Sequence, residues 1–181
     1  MGTVRMGEIE VTSEAGEELV ARGLGSCIGL ALIDRRSGVA GMAHIVLPAA
    51  PAAPAASDPE PELGKFADLA VPELISQMKR AGAIVRQLDA VLAGGAQMFA
   101  LGEMDIGARN AAAVEAGLAR SGVTVRATDT GGNRGRTMRL TVGEFKVRVK
   151  EAGGQVTTLF DADAARTGAR RKTEMQAVSA R

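Results

Sequence analysis

Tryptophan and tyrosine are absent from this 181-residue chain, phenylalanine occurs four times, and cysteine and histidine occur once each. Each scarcity removes a class of function. Few aromatic rings leave no stacking platform for bases, and a net charge of +1 comes with no basic run to neutralise phosphates, so nucleic-acid binding finds no support. One cysteine cannot form an internal disulfide. With one histidine and no CxxC pair, the chain has too few soft ligands for a zinc cage. No run of about 18 apolar residues is present to span a bilayer. The opening MGTVRMGEIEVTSE places Arg5, Glu8 and Glu10 where a secretion signal needs an unbroken apolar stretch. The cytoplasm is the expected compartment, and the length suffices for one domain with its own core.

What is present reads as alternating elements. Val4 to Val11 alternates as an opening strand, and Leu19-Val20 leads into the cluster Gly23-Leu24-Gly25-Ser26. CIGLALI from Cys27 to Ile33, the polar turn Asp34 to Gly38, and VAGMAHIVL from Val39 to Leu47 read as a hairpin. Repeated proline over residues 48–63 predicts a mobile surface loop. Apolar spacing then predicts a helix from near Asp68 to Ala81, with Asp68 as its cap and Pro72 in its first turn. A strand at Leu88 to Leu92 and a turn at Gly94 to Phe99 follow, then a helix from Gly107 to Arg120 near whose start Asn110 could cap and Arg109 could meet a partner carboxylate. Phe66, Met98 and Phe99 read as core, and Gly94, Gly95, Gly131 and Gly132 as turn residues. A strand at Val123 to Asp129 and a hairpin of Met138 to Val142 with Phe145 to Val149 close a domain over residues 1–160. Residues 161–181 lack periodicity and read as a disordered tail. Strands with two interspersed helices imply a layered α/β sandwich with a mixed, largely antiparallel sheet.

The hairpin brings the only cysteine to the only histidine. Its turn centres near residue 36, which puts Cys27 and His44 opposite or diagonal to each other, with Cβ atoms about 4.5 to 8 Å apart. A thiol is mostly protonated at neutral pH, whereas a partnered imidazole can draw off its proton, so His44 could serve Cys27 as general base and then general acid. Gly23, Gly25 and Gly29 leave backbone N–H groups unshielded, that of Cys27 first, for a developing oxyanion. The same two residues also suit plain packing, since free cysteine is among the most buried residue types. A thiolate site of this kind serves proteolysis, transamidation or deamidation equally well.

LGSCIGLALID at Leu24 to Asp34 with GMAHIVLP at Gly41 to Pro48 resembles the signature of the CheD chemoreceptor glutamine deamidases. KFADLAVPELISQM, GGAQMF, IGARNAAAV and GGNRGR resemble that family's later blocks, in the same order, so the likeness covers about Met6 to Val149. The resemblance implies deamidation of selected glutamines on chemotaxis receptor helices, with Cys27 as nucleophile, His44 as base and no cofactor. Partners implied are the cytoplasmic helices of receptors and a CheC-type phosphatase. One position departs from the pattern. Where the family has a catalytic threonine six residues before the cysteine, this chain has Ala21, with Arg22 beside it. Ser26 or a backbone carbonyl would then have to orient the imidazole, and a weakly active or inactive module that only binds receptors or the phosphatase is the alternative reading.

Overall fold

The runs CIGLALID and VAGMAHI have no polar face to offer water, and both are covered on both sides in the computed structural model, which describes residues 2–52, 62–98 and 105–164. Among the described residues the order is β1 (Gly2–Val4), β2 (Ile9–Thr12), β3 (Glu18–Leu24), β4 (Ile28–Asp34), β5 (Val39–Ile45), α1 (Ala67–Arg80), β6 (Asp89–Gly94), α2 (Ile106–Arg120), β7 (Thr124–Thr130), β8 (Arg136–Thr141), β9 (Lys146–Glu151) and β10 (Val156–Asp161). One sheet runs β1-β3-β8-β9-β10 and the other β2-β5-β4-β6-β7. Only β1 with β3 and β6 with β7 pair in parallel. The expected layered α/β sandwich of mixed, largely antiparallel pairing is present, with two stacked sheets in place of one.

Side-chain alternation assigns the layers. Ala31, Ile33, Ala40, Met42 and Val91 pack with Leu19, Met138 and Leu140 of the first sheet, while their neighbours Leu30, Leu32, Val39 and Ala43 pack under Leu74, Met78, Val114 and Leu118 of the helices. Strands buried on both faces carry apolar residues at nearly every position for this reason.

Several sequence expectations are corrected. The single opening strand is two strands in different sheets, because a turn at Arg5 to Glu8 carries the chain across, with Gly7 in the left-handed region at φ 81°. α1 starts at Ala67 after Phe66, with no side-chain cap. Asp68 instead accepts the Ala50 N–H at 3.0 Å, tying down the chain after Pro48. Pro72 stands inside α1, beyond the first turn, on its exposed side where a missing backbone donor leaves a carbonyl that water can reach. β10 adds a strand that the threonine-rich sequence does not announce, and Ala162 just beyond it is buried at 1 % exposure. Of the expected loop and tail, residues 53–61 and 165–181 lie outside the described residues, as does Phe99.

Candidate active site

Asp34 fixes the hairpin that carries the site. Its carboxylate accepts the N–H groups of Arg36 and Ser37 inside the turn, and that of Ile84 just past α1 at 2.9 Å. The register set by this turn pairs Gly29 with His44 and Ile28 with Ile45. Ile28 and Ile45 are the last pair of the ladder, and Cys27 stands one residue before it, beyond the paired register. Cys27 and His44 share a face. Cys27 packs in the core between the sheets, and His44 points the same way to reach Val4 of β1.

His44 is held at three points by one segment, once through its ring and twice through its backbone. Its Nδ1 lies 3.2 Å from the Val4 carbonyl, while the His44 backbone N–H bonds to the Glu8 carbonyl at 3.1 Å and its carbonyl accepts the Gly7 N–H at 2.9 Å. A carbonyl only accepts, so Nδ1 carries the proton and Nε2 presents its lone pair. Nε2 is buried without a hydrogen-bond partner among the described residues, and in this resting arrangement it makes no bond to the Cys27 sulfur. Such bonds commonly tighten only when substrate is bound.

Both groups rest uncharged. Burial pushes the Cys27 thiol above its ordinary 9.0, with the residue's own N–H as the group that favours the thiolate. Burial likewise lowers His44 from 6.5, against the opposing pull of the Val4 carbonyl and the Glu8 charge. Cys27 keeps 7 % of its surface exposed and His44 2 %.

Around the cysteine the chain is stitched tightly. The Cys27 carbonyl accepts the Gly95 N–H at 2.8 Å. Gly94, at φ 114°, lies so close to that carbonyl that a Cβ there would overlap it, which excludes every other residue. Gly131 donates to the Gly94 carbonyl, and Arg136, nearly buried, holds the Gly131 carbonyl at 2.8 Å and the Asp129 carboxylate at 3.0 Å. Ser26 lines a separate cavity of about 110 Å³ with Met98, Asp105 and Gly107. Met98 is not core, being 48 % exposed. Past the end of β6 the chain leaves the sheet, and Met98 lies over Gly25, where a Cβ would press on its side chain. A larger groove of about 700 Å³ runs along Ala108, Ala111 and Glu115 of α2 and includes neither Cys27 nor His44.

Sequence reasoning missed two contributors. Val4 acts through a backbone carbonyl, which every residue has, so no signal could have found it. Asn110 does not cap α2; Asp105 does, accepting the Ala108 N–H. Asn110 is fully buried one turn further in, and its Nδ2 donates to the carbonyls of Ser26 and Val46. The detectable signal was a polar residue four before Val114 in the apolar stripe. Ala21 is fully buried in β3, paired with Val4 and Met138. Arg109 is exposed on α2.

Residues 46–151 match the family model described as CheD chemotactic sensory transduction. The chain belongs to the CheD family. It is 39 % identical over 151 residues to the "Chemoreceptor glutamine deamidase CheD" of Thermotoga maritima, covering 83 % of this chain and 92 % of the relative. Two proteins named "Probable chemoreceptor glutamine deamidase CheD" are 42 % identical over 154 residues, from Clostridium botulinum, and 40 % over 154 residues, from Symbiobacterium thermophilum, each with the same two coverages. Among the described residues of this CheD chain, no helix is long and apolar enough to cross a membrane, and no group of three or more His, Cys, Asp or Glu is placed to hold a metal.

Proposed function

We propose that this CheD chain deamidates glutamine side chains on the cytoplasmic helices of chemoreceptors, with Cys27 as nucleophile and His44 as proton carrier. The observation that carries the reading is the hairpin register. It supports the reading because alternation along the two strands is consistent with the only thiol and the only imidazole falling on one face, with Nδ1 tied back and the Nε2 lone pair unoccupied. When a glutamine amide enters, Nε2 takes the thiol proton and the sulfur attacks the amide carbon. The oxyanion forms beside the Cys27 N–H. His44 returns its proton to the departing ammonia, leaving a thioester; water activated by the same Nε2 then cleaves it to glutamate and free thiol. No step calls for a cofactor. The Val4 carbonyl takes the orienting part that a threonine at position 21 would play.

Exposed Met6 lies in the turn that bonds to His44, and exposed Met98 lies beside Gly25, two residues before Cys27. Apolar contacts of this kind suit an amphipathic receptor helix. A CheC-type phosphatase is the second partner proposed. Incubation with receptor cytoplasmic fragments should release ammonia and give each modified fragment the mass of a hydroxyl in place of an amino group, with Cys27→Ala losing both. Tight binding of fragments without ammonia release from the parent protein would establish a binding module in place of the enzyme.

A further inference from the structure

The β4–β5 ladder ends one pair short of the nucleophile. Ile28 and Ile45 are the last partners. Beyond them the strands part, as Cys27 gives its carbonyl to Gly95 on one side and Val46 gives its N–H to Lys65 on the other, at 2.8 and 2.9 Å. Strand pairing therefore leaves open how far Cys27 stands from the end of β5.

A side chain from α2 fills that opening. The Asn110 amide donates one N–H to the Ser26 carbonyl at 2.8 Å and the other to the Val46 carbonyl at 2.9 Å. One acceptor immediately precedes the nucleophile, and the other follows the base by two residues. Both acceptors are carbonyls, so the amide has only one workable orientation. Its Oδ1 is buried without a hydrogen-bond partner among the described residues, a penalty that a leucine filling the same space would not carry. The polar group is kept for what its two donors do.

We propose that Asn110 is a positioning residue that fixes the spacing between Cys27 and His44 by bridging the parted ends of their strands. The proposal rests on the reading of those two residues as the reacting pair.

The test uses the full chain carrying Asn110→Ser, Asn110→Asp or Asn110→Gln, each alone and combined with His44→Ala. Two quantities are read well below the melting temperature: kcat and KM for deamidation of a receptor fragment, and the pH profile of Cys27 alkylation by iodoacetamide. A misplacement near 1 Å costs about a hundredfold in rate, so the Ser and Asp variants should lose about that much in kcat while KM moves by no more than about twofold. Their alkylation profiles should approach that of His44→Ala and change no further when the two substitutions are combined. Gln keeps both donors and should recover part of the rate. Additive effects with His44→Ala, or unchanged kcat in folded variants, would overturn the proposal. Loss of the fold in all three variants would overturn it too, because Asn110 would then serve stability and not alignment. If the parent chain does not deamidate but the alkylation effects remain non-additive, the functional reading fails and the positioning role stands.

Discussion

At the scale of single residues, the site depends on an imidazole whose orientation comes from main chain. Val4 is paired with Ala21 across the β1–β3 ladder, so the carbonyl that holds Nδ1 sits on the neighbour of the position where the family has threonine. Restoring that side chain should therefore add little. Ala21→Thr should leave the deamidation rate within about threefold, because Nδ1 already has its acceptor. It should lower stability by about 1 to 3 kcal/mol in a urea titration, since Ala21 is fully buried and adding heavy atoms to a packed core is destabilising. A tenfold gain in kcat would show that the Val4 carbonyl is an insufficient orienter. The places of Cys27 and His44 at the open end of the hairpin were legible in the sequence, because each is unique and the turn fixes the arithmetic. Val4 and Asn110 were not, since one acts through its backbone and the other bridges positions 84 and 64 residues away.

At the scale of elements, the β4–β5 hairpin is latched by Asp34, which is fully buried yet accepts three backbone N–H groups. Burial alone would raise its pKa; the bonds from Ile84, Ser37 and Arg36 outweigh that and hold the carboxyl below its ordinary 3.8. Its contribution is thus in full force above that value and is lost as pH falls through the lower folded one. Asp34→Ala should cost about 2 to 4 kcal/mol in a denaturant titration at neutral pH, because buried donors lose a charged acceptor. A change below about 0.5 kcal/mol, the range of ordinary surface substitutions, would contradict the latch. This hairpin was readable because its turn residues and apolar runs agree. The opening segment was misread because apolar and polar residues alternate on both sides of the Arg5 to Glu8 turn, although the phase slips from Val4 and Met6 to Ile9 and Val11, and β10 was missed because three exposed residues in a row, Val156 to Thr158, give it no apolar alternation. α1 was placed to within a residue at each end, but Asp68 does not cap it and Pro72 lies beyond its first turn, tolerated on the solvent side.

At the scale of the whole molecule, the burial of Cys27 and His44, which disfavours the charged form of each, sets a pH window for stability. His44 is lowered from 6.5, so below that pH the unfolded chain takes a proton that the folded one refuses, and stability falls as pH falls. Cys27 is raised from 9.0, so above that pH the unfolded chain gives up a proton that the folded one keeps, and stability falls as pH rises. Between 6.5 and 9.0 neither residue opposes folding. Thermal melts across this range should show a plateau with a shoulder on each side. His44→Gln should flatten the acid shoulder below 6.5 and Cys27→Ala the alkaline one; an acid shoulder unchanged in His44→Gln would place its origin elsewhere.

In the proposed mechanism the Cys27 sulfur forms a bond to a glutamine carbonyl carbon. The measurement closest to that event is an acid-quenched, intact-mass spectrum of the protein during turnover of a receptor fragment. A covalent adduct that maps to Cys27 and is absent from Cys27→Ala is the predicted result. Glutamate formation by Cys27→Ala at the parent rate, with no adduct in either protein, would contradict it.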